Sequence, residues 1–511
     1  MIRRSFTPSG PAKKARPSVC HCFVRSSAAL LASKQWHTTF KAQLVVQVHL
    51  VVCLLVLVQA VCARAASPAP GQAAAAEYQA TDSPEARPPR MRKAAPQAES
   101  KPAEPQQAPP IEPEESKPRF FAVTGAVVHT VTGPVLHGPT VLCKNGKIAA
   151  IGHGVAIPKE AETLDAKGFH LYPGLVAVSS SGIVGSEPPE DNTDLYNLSL
   201  TLALAGGVTT VVTGNTAAKL TFGTLEDHVV KRNLFTTLQY STLNPDGRRQ
   251  FRQALDRARQ HLRDLEAYEE KKKLDPKAKP PDSAWVKGEY ETALKLLRHE
   301  VVAVAVADTA GELEDLAILA GQYDFRLVVR GAAEGWVVAP AMARAGLRAV
   351  ITPRTRRDTD ERISRPNGSS IENAKILYDH GVGLAIIPAS PGTSLSGLAG
   401  RDLMHLPMEA AFAVRGGLPD DVAVRAITID AAQVLGIEHR VGSVEVGKDA
   451  DFALVDGDLL HYMTLVRWTV VNGRIAYDKE KDSLLSHVRR GGDQDAPAPP
   501  DYWPRRLGEE R

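Results

Sequence analysis

The sequence predicts an α/β fold built around a (β/α)8 TIM-type barrel, with short β segments on either side of it. Three observations carry this expectation. Across residues 171–437 short apolar runs alternate with helical stretches, the pattern of a parallel sheet whose strands are joined by helices. The runs at residues 175–178, 209–212, 301–306, 326–329, 349–351 and 383–387 have the length of buried strands, and together they suffice for a closed barrel. Outside that region, alternating strands meet at Asn145-Gly146 and Asn472-Gly473, dipeptides that supply the positive φ angles of a tight hairpin turn.

In chain order, residues 1–65 hold nine Lys or Arg and no Asp or Glu, then the apolar run Leu44 to Val61, then Ala63-Arg64-Ala65. This is the layout of a secretory leader cut between Ala65 and Ala66, or of an uncleaved anchor spanning residues 43–62. The expected location is periplasmic or extracellular, with membrane contact only through this segment if it is not removed. Four of the five cysteines (Cys20, Cys22, Cys53, Cys62) lie in the leader, so cleavage leaves Cys143 without a disulfide partner. Cys20-His21-Cys22 has no second pair at zinc-finger spacing.

Residues 66–118 are rich in Ala, Pro, Glu and Gln and poor in large apolar side chains, so burial there does not offset ordering entropy and a disordered linker is expected. Residues 119–170 read as the first β segment. The barrel follows at 171–437, with a charged helical insert at 244–300. In that insert Phe251, Leu255, Leu262 and Leu265 share one helical face, and the run Asp275 to Asp282 breaks it; a solvated helix and loop are expected. Residues 438–478 form the second β segment, and 479–511 a polar tail.

Composition narrows the function. A content of 43% hydrophobic and 23% charged residues is that of a soluble globular protein. Net charge is +3, but without the leader 52 basic residues face 58 acidic ones. Basic residues there are interleaved with acidic ones rather than gathered with aromatics, so no nucleic-acid partner is expected.

Three motifs then agree. Ala149-Ala150-Ile151-Gly152, Asp165-Ala166-Lys167-Gly168 and Tyr172-Pro173-Gly174-Leu175 resemble the entry to the barrel in the amidohydrolase superfamily. The stretch Ala426 to Gly436 (AITIDAAQVLG) is similar to that family's closing helix, and Gly442 to Asp451 (GSVEVGKDAD) to its return strand. The resemblance covers roughly residues 119–478 and is nearest the imidazolonepropionase-like branch. It implies that the β segments before and after the barrel join into one small composite β-sandwich. It also implies zinc or another divalent metal at the barrel mouth, held by His-x-His at the end of the first strand, by further histidines and by an Asp. That metal polarises the scissile carbonyl of a carbon–nitrogen bond and supplies hydroxide.

At the positions the resemblance equates with those ligands stand Ser179, Ser181, Val306, Gly331 and Ala389. Neutral serines are poor zinc ligands and the other three offer no donor, so no metal, no other cofactor and no family-type catalytic residue is expected. The resulting expectation is a pseudoenzyme that binds a small molecule in the barrel mouth, or pairs with an active amidohydrolase relative as a subunit. Candidate ligand-binding residues near strand ends are Ser179, Ser181, Asn215, Asp308, Arg330 and Ser390, with Arg330 suited to a carboxylate. Two alternatives remain: an active hydrolase of non-peptide carbon–nitrogen bonds with an atypical site, and an envelope interaction module that uses the linker and the inserted helix.

Overall fold

The computed structural model describes residues 118–238, 244–394, 400–486 and 488. The expected leader, its anchor alternative at 43–62, the linker up to residue 117 and nearly all of the expected tail beyond residue 486 lie outside the described residues.

Seven strands open the described chain: β1 (Phe120–Thr124), β2 (Val127–His129), β3 (Val135–His137), β4 (Thr140–Lys144), β5 (Lys147–Gly152), β6 (Glu162–Asp165) and β7 (His170–Pro173). The barrel strands are β8 (Leu175–Ala177), β9 (Val208–Thr213), β10 (Thr216–Lys219), β11 (Val229–Lys231), β12 (Phe235–Thr237), β13 (Val302–Ala307), β14 (Leu327–Gly331), β15 (Arg348–Ile351) and β16 (Gly383–Ile386). Then β17 (Phe452–Val455), β18 (Val466–Val471) and β19 (Arg474–Asp478) return to the first unit.

The sandwich is composite, as the resemblance implies. One sheet runs β5-β4-β1-β6; the other runs β19-β18-β17-β7-β2-β3, interleaving strands from both flanks of the barrel. Alternating side chains of the two sheets interdigitate: Phe121, Val123, Val141 and Cys143 from one, Val128, Leu171, Phe452, Leu454 and Val470 from the other. β7 belongs to this sandwich through its pairing with β2 and β17, so the first β segment runs three residues past 170.

All six expected barrel strands are present within a residue or two. Parallel pairing joins β8 to β9, and β12 through β16 in sequence order. Between these two groups stands the antiparallel pair β10–β11, which the apolar pattern did not foretell. One interior serves all of them. Val176, Val178, Val212, Val304, Val328, Val350 and Ala385 point into it, and the helix Ile429–Leu435 adds Ala431, Ala432, Val434 and Leu435. The intervening residues, such as Leu175, Ala303, Ala305, Val329 and Leu384, face outward against the helices. Alternation of this kind fixes which side chains reach the barrel mouth.

The insert differs from the expected solvated helix. The helix Pro245–Leu274 is capped by Asn244, whose side chain accepts from Gly247 N. It buries Ala254, Leu255, Ala258 and His261 and packs into the main core beside the helix Glu289–Leu297. Tyr323 Oη donates to Asp256 at 2.8 Å, and Arg248 pairs with Asp315. Its apolar face is narrow, with Phe251, Leu255 and Leu262 docked on the core, which the surrounding charges conceal in the sequence.

Barrel and sandwich are fastened by a buried ionic cluster. Lys219, at the end of β10, has a fully buried side chain whose Nζ lies 2.7 Å from Asp449 and 3.1 Å from Asp451, and also meets Asn472. Lys147 and Arg440 reach Asp449 at 2.8 Å each. Burial opposes the charge of Asp449, yet Lys219, Lys147 and Arg440 outweigh it and hold the carboxyl below its usual range. For Asp451 burial wins and pushes the carboxyl up, Lys219 offsetting it only in part. The sequence motif Gly447-Lys448-Asp449-Ala450-Asp451 therefore supplies two carboxylates to a lysine more than 200 residues earlier.

Candidate ligand site at the barrel mouth

The C-terminal ends of the strands define the mouth, and each end is built differently. After β8 the backbone N and the hydroxyl of Ser180 both donate to Val212 O, at 2.8 and 2.7 Å, tying this end to β9. Ser180 is thus the scaffolding serine. Ser179 is half-buried, and Ser181 is exposed with its N–H donated to Pro391 O at 2.9 Å.

Asn215 follows β9 and is a clamp. Its side chain accepts from Phe235 N and donates to Phe235 O, both at 2.8 Å, which ties β12 to the end of β9 on the edge opposite its pairing with β13. Its amide is spent on the backbone. Ser390 and Ala389 are exposed, and Ser390 N donates to Arg401 O at 2.9 Å.

At the end of β13, Val306 follows Val302 and Val304 on the interior face but is 70% exposed, so the mouth opens at this rung. Asp308 is half-buried; its carboxylate accepts from Ala333 N at 3.3 Å and its carbonyl from Glu334 N at 2.9 Å. Gly331 ends β14 at φ +101°, and a Cβ there would lie 2.4 Å from Asp308 Oδ1. Glycine is required for both reasons. A histidine at this position cannot coexist with Asp308 where it stands.

Arg330 precedes it. Val328 faces the interior, so Arg330, two residues on, does also. Its Nη2 lies 3.5 Å from Val178 O on β8, and its guanidinium stands 5.7 Å from the centroid of the Phe235 ring. Burial lowers its pKa below the usual arginine value.

A cavity of about 160 Å³ lies at the rim, lined by Asp308, Gly331, Thr352, Thr355, Ser369 and Asn373. Asn373 Nδ2 donates to Ala332 O at 3.0 Å, while its buried Oδ1 has no hydrogen-bond partner among the described residues. Two buried glutamates near this rim escaped the sequence reading. Glu334 accepts from Ala310 N, Gly368 N and Arg357 Nε, at 2.8, 3.0 and 3.1 Å. Glu409 accepts from Arg354 N and Nε at 2.8 and 2.7 Å. Both fasten the segment that follows β15. Their partners are distant in sequence, and no local motif announces them.

The residues at the five expected ligand positions do not fit a metal: they offer two hydroxyls and no imidazole or carboxylate. Among the described residues no group of three His, Cys, Asp or Glu is placed to hold an ion.

Comparison with known proteins shows what the chain is similar to. A model of the amidohydrolase family matches residues 350–491. An amidohydrolase from Thermotoga maritima aligns over 70% of this chain and 100% of its own, with a TM-score of 0.53 and 22% identity, a likeness of fold. The chain is thus similar to the amidohydrolase family in sequence over residues 350–491 and in fold over the longer stretch. Among curated amidohydrolase relatives, an imidazolonepropionase from Phocaeicola vulgatus is 28% identical over 191 residues, 36% of this chain and 40% of that protein. A 5-methylthioadenosine/S-adenosylhomocysteine deaminase from Symbiobacterium thermophilum is 41% identical over 71 residues, 11% of this chain and 16% of that one. The chain thus spans two fifths or less of the length of these curated relatives.

Proposed function

We propose that this protein is an exported amidohydrolase-superfamily pseudoenzyme, in which the barrel mouth binds a small molecule without metal-dependent hydrolysis. One observation carries the reading: Gly331 has a positive φ and a Cβ there would meet the Asp308 carboxylate, which strains any side chain at this position, and the other four positions hold Ser179, Ser181, Val306 and Ala389. Loss of one ligand weakens a metal site; loss of all removes it. Asp308 and Arg330 remain as the charged groups of the mouth, beside Ser179 and Ser181, and supply polar contacts for a bound molecule. Pairing with a catalytically active amidohydrolase as a subunit is compatible with the same loss. Export rests on the Leu44 to Val61 run and the Ala63-Arg64-Ala65 site that follows it.

The deciding experiment is elemental analysis of the purified protein with calorimetric zinc titration, followed by assays on amide, imide and lactam substrates. The expected result is well below about 0.1 equivalent of metal, no micromolar zinc binding and no turnover. Near-stoichiometric metal, or hydrolysis of a carbon–nitrogen bond, overturns the reading in favour of an active hydrolase with an atypical site. Cell fractionation and amino-terminal sequencing test export separately.

A further inference from the structure

We infer that Arg330 is the ligand-holding cation of a small-carboxylate site in the barrel mouth, set on the rung above the barrel's apolar interior. The inference rests on the proposed function and gives the bound molecule its chemical class. The first support is place. Arg330 pairs with Val306 on one side and Val350 on the other, so it occupies the rung above the closed apolar interior. From there its side chain crosses toward β8 and ends at Val178 O, the residue before Ser179.

The second support is electrostatic. Among the described residues no Asp or Glu forms an ion pair with Arg330, whereas the partly buried Arg354, Arg440 and Arg467 each meet a carboxylate. The segments 239–243 and 395–399, which follow β12 and β16 in sequence, contain no Asp or Glu to complete it. The one hydrogen bond to Val178 O is long, and the Phe235 ring supplies a cation–π contact without neutralising the charge. A partly desolvated guanidinium left this way is costly to a protein that gains nothing from it.

The third support is complementarity. A guanidinium fork matches a carboxylate through two parallel hydrogen bonds. Val306 stands beside it as an exposed apolar side chain, and Thr237, two residues beyond the interior-facing Phe235, adds an exposed hydroxyl. One cation next to an exposed valine fits a singly charged acid with a short aliphatic body. A phosphate dianion would call for more donors than this rung offers.

The test is titration calorimetry of the full chain, treated with chelator, using n-butyrate, its uncharged isostere butyramide, and n-butylamine. Butyrate is expected to bind at least about tenfold more tightly than butyramide, and butylamine not at all. Arg330→Met is expected to weaken butyrate binding at least about tenfold while leaving the thermal midpoint of the ligand-free protein unchanged or raised. Val306→Glu places a carboxylate beside the guanidinium and is expected to abolish butyrate binding with a raised midpoint. Equal binding of butyrate and butyramide, or no binding of either, overturns the inference while leaving the metal-free reading intact. A lowered midpoint in Arg330→Met with unchanged butyrate affinity assigns Arg330 a structural role and likewise overturns it. Should metal and turnover be found instead, the proposed function fails, and the titration of the chelated protein still decides the carboxylate site.

Discussion

Lys219 and Arg330 are both cations on barrel strands, and the chain treats them in opposite ways. Lys219 is sealed between barrel and sandwich and faces Asp449, Asp451 and Asn472. Arg330 looks into the mouth and, among the described residues, faces no carboxylate. A compensated charge in a closed seam is architecture, because removing one partner strands the others. An uncompensated charge at an open strand end is what a binding site looks like before its ligand arrives. A third treatment appears on the sandwich. His129 donates to or accepts from His170 across 2.9 Å, stacks on Tyr172 and, through burial first and His170 second, has its pKa lowered to about 4. Its charge is given up rather than paired.

Four measurements break or sharpen this comparison. Lys219→Met leaves Asp449 and Asp451 buried without their shared cation and is expected to cost about 3–5 kcal/mol in urea unfolding. A cost near zero would mean that the cluster does not hold the two units together. Gly331→His restores an imidazole at an expected ligand position against both the positive φ and Asp308. A loss of about 2–3 kcal/mol, with no zinc binding by calorimetry, is expected; zinc binding by this variant would show that the mouth can accommodate a metal. Asn215→Ala removes both bonds to the Phe235 backbone and is expected to cost about 1–2 kcal/mol, where Arg330→Met costs nothing. Equal effects of the two would erase the distinction between scaffold and site.

The smallest effect is in pH dependence. His129 is neutral in the folded state, so protonation favours the unfolded chain as pH falls from about 6.5 toward about 4. Stability is expected to decline over that window by about 1 kcal/mol, since the half-buried ring is partly screened by solvent, and His129→Gln should flatten the decline. Asp449 has the opposite origin with the same direction: its carboxyl is held low, so its contribution is present above about pH 4 and is lost below that. Urea midpoints at successive pH values separate the two.

Much of the fold was legible because apolar runs bounded by turns leave little choice of strand, and because the Tyr172-Pro173-Gly174-Leu175 and Gly447-Lys448-Asp449-Ala450-Asp451 stretches sit where barrel and sandwich meet. Thr216–Lys219 was not legible as a buried strand, since a lysine at its end argues for the surface. Asp227 lies only eight residues from Lys219, but Asp449, Asp451 and Asn472 lie beyond residue 448 and become visible only in three dimensions. The helix Pro245–Leu274 is legible as helical and largely solvated; what the pattern does not reveal is that Ala254, Leu255, Ala258 and His261 suffice to dock one face of it. At the mouth, alternation places Arg330 inward from sequence alone. The commitment of Asn215 to Phe235, and the exclusion between Gly331 and Asp308, depend on angles and distances that no pattern of residue types encodes.

The composite sandwich also sets an order of events in folding. β7 pairs with β17 across a gap of nearly 280 residues, Leu171 opposite Leu454, and the whole barrel is strung between them. The early strands have no neighbour on that side until the late ones exist, so loop closure on this scale falls to the end of folding. The barrel is thereby enclosed in a clasp made of its own flanks, and a single cut anywhere between residues 174 and 451 turns a contact within one chain into an association between two.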